Sequence, residues 1–204
     1  MVHALIREPP AFAVFVLISS VTPGPNNLML LNVGVVRGRA SAVRSSLGVS
    51  MGWALQVLVF GLGVESVVRA VPGLSSAIDA AGLCYLVWLA VKLLRAHQLG
   101  TATPMHGFAG AIRYQWVNPK AISMSLTTAG LFVVTGTHVQ VASAVAVASA
   151  ALVLNVPCVL SWGLGGAALS TRLVDKSAVV RFNRIAAATL LVMVAWLAVE
   201  RAVH

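Results

Sequence analysis

Acidic side chains are nearly missing from this chain. Five Asp and Glu stand against 14 Lys and Arg in 204 residues, and charged residues of either sign make up only 9%. A soluble domain is about 25% charged and about 45–50% apolar, because polar groups must cover its outside. This chain is 59% hydrophobic with a mean hydropathy of +0.92, so it cannot cover itself in that way. That excludes a soluble globular domain and makes lipid the solvent for most of its surface. No run of basic residues occurs, which sets nucleic acid aside. His3, His97, His106, His138 and His204 are loop or terminal residues without metal-ligand spacing. Gly-x-Ser-x-Gly, His-Glu-x-x-His and phosphate-binding loops are absent too, so nothing points to an enzyme, a cofactor or a bound metal. Cysteine is scarce: Cys84 and Cys158 read as buried small hydrophobes. The sharper alternative is a membrane thiol relay that carries reducing equivalents. It would want cysteines at matching, cavity-facing places in two halves of the chain, and these two do not match.

What the chain has is long apolar runs. A spanning helix needs about 20 mostly apolar residues, because the hydrocarbon is about 30 Å thick and each residue rises about 1.5 Å. Six such runs fill nearly the whole chain: Ala11–Val36, Leu47–Val68, Leu74–Leu94, Val117–Val134, Val139–Leu169 and Ile185–Val203. They leave no room for a second, soluble domain. They do not alternate with period two, which argues against a transmembrane barrel. The start of the chain does not read as a cleaved signal, since Arg7 is offset by Glu8 and Val21-Thr22-Pro23-Gly24 is a poor cleavage site.

The net charge of +9 is an orientation signal. Arg37, Arg39 and Arg44 fall between the first and second runs. Lys92, Arg95, Arg113 and Lys120 fall in the third-to-fourth loop and on its edges, and Arg172, Lys176, Arg181 and Arg184 between the fifth and sixth. These are eleven of the fourteen basic residues; the other side has only Arg7, Arg69 and Arg201. Loops rich in Lys and Arg stay cytoplasmic. With six helices all three basic loops lie inside and both termini outside. Four of the five acids, Glu8, Glu65, Asp79 and Glu200, then fall on the outer side.

One polar interruption stands out within the first run, Ser19-Ser-Val-Thr-Pro-Gly-Pro-Asn-Asn27. Proline removes a backbone donor and clashes with the preceding turn, so the helix breaks or kinks here. Unpaired backbone groups in hydrocarbon cost several kcal/mol each, so such a break survives only inside protein or beside water. A half-helix starting after Gly24-Pro25 turns its free N–H groups, the positive end of its dipole, into that space, which suits a carboxylate. Asn26 and Asn27 are placed to cap the new helix or donate to a solute. Offset by 96 residues the pattern recurs: Phe12-Ala13 matches Phe108-Ala109, Val21 matches Val117, and Pro23 matches Pro119 within Val117-Asn118-Pro119-Lys120. Six helices split as three plus three give inverted halves, whose substrate site lies near the midplane at interrupted helices in matching positions.

Thr22-Pro23-Gly24-Pro25-Asn26, followed by Arg37-Gly38-Arg39 and Gly48-x-x-x-Gly52, resembles the LysE/RhtB-type amino-acid exporters. So do Tyr85-Leu86-Val87-Trp88-Leu89 with Lys92, and Asn118-Pro119-Lys120-Ala121. The resemblance spans about the whole chain. It implies export of amino acids or similar small metabolites from the bacterial cytoplasm, driven by the proton motive force. The chain departs from the pattern at Ala186-Ala187-Ala188 and Ala195, where the family has glycines, and at Trp53.

The remaining residues carry two readings each. Lys120 is either a snorkelling charge at the cytoplasmic mouth or an attractor for a substrate carboxylate. Asn155-Val156-Pro157 interrupts the fifth run as a packing kink, or places an amide on the cavity. Gly48 and Gly52, like Gly163, Gly165 and Gly166, read as close-packing sites. Gln56, Ser123, Ser125, Thr127 and Thr128 bond neighbouring helices or face a pore. Intramembrane acids are the usual proton carriers, and Asp79 is the single coupling candidate. The expectation is an all-α membrane protein of the bacterial inner membrane. It has six transmembrane helices in two inverted three-helix halves, with broken first and fourth helices. The site falls on Pro23, Gly24, Pro25, Asn26, Asn118, Pro119, Lys120 and Asn155. The expected partners are a small-molecule substrate and membrane lipid, with a homo-oligomer left open. A non-transporting membrane subunit is a third class.

Overall fold

The computed structural model describes residues 5–64, 70–73, 107–136 and 138–170, with isolated helical residues between 77 and 95 and between 180 and 195. The third and sixth apolar runs lie largely outside these residues, and Asp79, Lys92, Arg172 and Lys176 lie wholly outside. Among the described residues the chain is helical apart from one bridge, Ile6 to Val133. The elements are α1 Pro9–Val21, α2 Pro25–Val59 continued by a π-helical turn Phe60–Val64, α3 Gly107–Gln115, α4 Pro119–Phe132 and α5 Gln140–Leu169.

Helix α1 starts on Pro9-Pro10, whose fixed φ suits a first turn that needs no N–H partner. It ends at Val21 because Pro23 and Pro25 bar the residues before them from helical backbone. Helix α2 then runs for 35 residues with a single interruption, Gly38, at φ 74° and ψ −176°. Glycine takes positive φ without a Cβ penalty, so one residue reverses the chain. The segment expected as a loop between Arg37 and Arg44 is therefore helical on both sides of that residue, a correction to the sequence-based boundaries.

Contacts with α5 give the direction of each arm. Ser20 bonds Asn155, and a Cβ on Gly166 would run into the Leu31 carbonyl. Beyond Gly38, Ala42 lies against Gly163, Ser46 Oγ donates to the Val159 carbonyl at 3.3 Å, and Ser50 bonds Asn155. Residues 25–37 thus descend along α5 and residues 39–59 climb back. The glycines allow this approach: Gly34 packs on the Gly163 carbonyl and Gly48 on the Phe108 carbonyl, with no space for a side chain. Helices in lipid associate through such small residues, because apolar burial gives no driving force there.

The fourth run differs more. Helix starts at Gly107 rather than Val117, and the break at 116–118 falls inside the crossing, between α3 and α4. Helix α3 runs alongside the second arm, with Gly48 near Phe108 and Gly52 near Ile112. Helix α5 passes unbroken through Pro157, so the expected interruption of the fifth run does not occur. Pro157 is exposed and only removes one donor from the ladder.

Two apolar clusters fill the bundle. One holds Met29, Leu30, Val49, Tyr114 and Val159, toward the Gly38 end. The other holds Phe12, Val16, Trp53, Val57, Phe132 and Val147, with the Phe12 and Phe132 rings edge to face at 5.3 Å. The far end is tied by the amino-terminal segment: Arg7 N donates to the Phe132 carbonyl at 3.0 Å, and Ser143 Oγ donates to the Leu5 carbonyl at 2.5 Å. Large apolar side chains such as Ile18 (65% exposed), Val141 (62%) and Val153 (70%) face outward, a surface that lipid covers and water would not favour. Among the described residues, Gln140–Leu169 is by length and composition long and apolar enough to cross a bilayer, and Pro25–Gly63 meets the same measure only as two arms joined at Gly38.

Candidate functional site

The two breaks meet at one level of the bundle. The first, Thr22 to Gly24, parts α1 from α2; the second, residues 116–118, parts α3 from α4. The two crossings run in opposite directions, since α1 and the first arm pass along α5 in the sense opposite to the second arm, which α3 accompanies.

Amide side chains join them. Asn26 Nδ2 donates to Gln115 Oε1 at 2.9 Å, and Gln115 Nε2 donates back to Asn26 Oδ1 at 3.1 Å. Asn118 Nδ2 donates to the same Asn26 oxygen at 2.8 Å. The Gln115 carbonyl accepts from the Asn118 N–H at 3.2 Å and from Gln56 Nε2 at 2.8 Å, and Gln56 Oε1 accepts from Ser125 Oγ at 3.2 Å. Gln56, Gln115, Asn118 and Ser125 are fully buried. A polar network in a low-dielectric interior holds its members tightly when every member is satisfied.

A second network lies across the cavity. Asn155 Nδ2 donates to Ser20 Oγ at 2.8 Å, and Ser50 Oγ donates to Asn155 Oδ1 at 2.7 Å. Asn27 closes the first break itself, since its Nδ2 donates to the Ser20 carbonyl at 2.8 Å and the Thr22 carbonyl at 2.9 Å. The Thr22 hydroxyl bonds the Ile18 carbonyl, and Trp162 Nε1 donates to the Val21 carbonyl at 3.3 Å. The carbonyls at the end of α1 are thereby largely satisfied by side chains.

Between the networks is a cavity of about 20 Å³, room for about one water. Gly24, Asn26, Asn27, Lys120 and Asn155 line it. No side chain caps the α2 N-terminus at Gly24, so its first-turn N–H groups carry the positive end of the dipole uncovered. A Cβ on Gly24 would lie 2.9 Å from Lys120 Nζ, so the missing side chain is what lets the ammonium group reach over the break. Lys120 Nζ also donates to the Thr22 carbonyl at 3.4 Å. Lys120 and Asn155, halfway along α5, thus line the same cavity.

Of the residues singled out in sequence, Gly24, Asn26, Lys120 and Asn155 line one cavity, and Asn118 reaches it through Asn26. Pro25 and Pro119 occupy the first turns of α2 and α4. Pro23 is exposed between α1 and α2, and Asp79 lies outside the described residues. Gln115 was missed. Its signal was its place, the last helical residue before the second break.

A family model described as the LysE type translocator matches residues 17–201, and the chain belongs to that family. It is similar to a cysteine/O-acetylserine efflux protein of Klebsiella pneumoniae, 29% identical over 126 residues that cover 60% of this chain and 64% of the relative. A cysteine/O-acetylserine efflux protein of Escherichia coli O157:H7 is 30% identical over 131 residues, covering 63% of this chain and 67% of the relative. The match thus spans about two thirds of these relatives' length. No solved structure matches the chain.

Proposed function

We propose that this member of the LysE-type family is a secondary active exporter. It moves amino acids or related small metabolites out of the bacterial cytoplasm, by alternating access around the paired breaks. The observation that carries this is the meeting of an uncapped helix N-terminus and the Lys120 ammonium group in one cavity. A substrate carboxylate sits between them, held by free N–H groups and by charge. The efflux relatives support a small amino acid as cargo.

At about 20 Å³ the cavity admits no amino acid, so this conformation is closed and the substrate enters only when the breaks part. The proton motive force drives the cycle, with Asp79 as its coupling candidate. The exposed Arg37, Arg39 and Arg44 at the Gly38 end support a cytoplasmic hairpin and an outer end formed by the Leu5 and Val133 segments, with both termini outside. The full architecture in this reading is two inverted three-helix halves.

The test is efflux of preloaded alanine and cysteine from vesicles, normalised to inserted protein, for wild type and Lys120→Met. A charge-assisted hydrogen bond contributes about 1.5–3 kcal/mol, so KM should rise about 10- to 150-fold. Wild-type KM in Lys120→Met would remove the carboxylate site, and efflux that persists after the proton gradient is collapsed would remove the coupling.

A further inference from the structure

We infer that Trp53 is the specificity-determining residue of the cavity, selecting amino acids whose uncharged side chain carries a hydrogen-bond acceptor. The inference rests on the exporter reading and names the substrate class for its site. Trp53 lines the cavity and is 2% exposed, yet its indole Nε1 has no hydrogen-bond partner. Ser45 Oγ shares that condition but does not line the cavity. Around Trp53 every amide of the site is paired: Asn26, Asn27, Gln56, Gln115, Asn118 and Asn155 all have partners at 2.7–3.1 Å. A buried donor left unpaired is destabilising, and an indole N–H can only donate. When the site is filled, the partner that relieves it is an acceptor delivered by the substrate.

The surroundings of Trp53 narrow that acceptor's chemistry. Val49, Met124 and Val159 form the nearby wall, and among the described residues no acidic side chain lines the cavity. A cationic side chain finds no counter-charge there and is repelled by Lys120. An anionic one loses its water against an apolar wall. An ether, ester or similarly weak acceptor suits both the wall and the N–H. Trp53 also packs with Val57 and Val147 in the cluster toward the far end of the bundle, so its ring sets how long a side chain the closed cavity admits. A site built to hydrogen-bond its substrate rejects the analogue that leaves the site's group unpaired.

The experiment measures export of O-methylserine, norvaline and lysine from proteoliposomes. The first two differ only in an oxygen replacing a methylene. The first arm needs no variant: wild type should favour O-methylserine over norvaline about 5- to 10-fold in kcat/KM and leave lysine inside. Trp53→Phe keeps a ring and removes the donor, so the preference should fall to near one, mostly through KM for O-methylserine, with norvaline export retained. Trp53→Leu should in addition admit norleucine. Equal handling of the first two by wild type, export of lysine, or a wild-type preference surviving in Trp53→Phe would each overturn the inference while leaving the exporter reading in place. Failure of inserted wild type to export any amino acid, alanine included, would end both.

Discussion

The chain breaks its helices twice at one level and finishes the two breaks in opposite ways. At the second, Asn118 is the N-cap: its Oδ1 accepts the Lys120 N–H at 3.2 Å, so α4 begins with a satisfied donor. At the first, Gly24 stands in that place with no side chain to offer, and α2 begins uncapped. Asn27 turns backward there, satisfying the carbonyls of Ser20 and Thr22. One break has closed its donor and the other its acceptors. The first therefore keeps positive potential open toward the cavity, while the second spends its remaining amide on Asn26 at 2.8 Å. In the exporter reading proposed above this is a division of labour: one break receives the ligand and the other holds the first in place.

The largest effect should come where the two breaks touch. Asn26→Ala removes the group that accepts from Asn118 and Gln115 and donates to Gln115. It leaves buried amide groups unpaired, at about 1–3 kcal/mol each. Export per inserted molecule should fall about 30- to 150-fold, with the protein still inserted. Near-wild-type efflux from Asn26→Ala vesicles would mean that the breaks act independently, and the comparison would collapse into two packing kinks.

The breaks were legible in sequence because proline, glycine and asparagine act locally: Pro23, Pro25 and Pro119 forbid particular backbone, whatever packs around them. The hairpin at Gly38 was not. A single residue of positive φ leaves no loop-like composition, and the flanking Arg37 and Arg39 read as a loop through their charge. The reach of Lys120 was not legible for a related reason. Charge counted along the sequence does not show which break a lysine side chain lies over, and it is the absent side chain of Gly24 that opens the space. Gln115 and Trp53 depend on contacts more than fifty residues away in the chain or on a missing partner, and no local pattern encodes either. Of the two readings of Asn155, the kink does not occur, since α5 runs straight through Pro157, while the amide does line the cavity, bonded to Ser20 and Ser50.

A pair of substitutions at Asn118 sharpens the division. Asn118→Ala loses both the cap and the donor to Asn26; Asn118→Ser can still cap but cannot reach across as an amide. The cap contributes about 0.5–2 kcal/mol to α4, and the serine should restore most of that in thermal unfolding. Export should stay about 5- to 10-fold low in both, because the Asn118 hydrogen bond, about 1 kcal/mol or somewhat more, is missing in each. Recovery of export by Asn118→Ser would make the second break a cap alone, and its tie to Asn26 incidental.

The smallest effect belongs to residues at neither break, and it decides the rival chemistry. Cys158 is one turn beyond Asn155 but does not line the cavity; its Sγ donates to the Leu154 carbonyl of its own helix at 3.4 Å. Cys84 is exposed on a described helical residue. A thiol relay would need both sulfurs to exchange electrons with a cargo, so Cys84→Ser with Cys158→Ser would abolish it outright. An exporter built on the two breaks uses neither. Serine keeps the size of cysteine, and its hydroxyl can bond the same backbone carbonyl within a helix. A near-isosteric change of this kind costs less than about 1.5 kcal/mol of stability. Alanine efflux from the double variant, normalised to inserted protein, should stay within about twofold of wild type, a difference under about 0.5 kcal/mol. Loss of transport in that variant, with insertion intact, would move the working site from the breaks to the thiols.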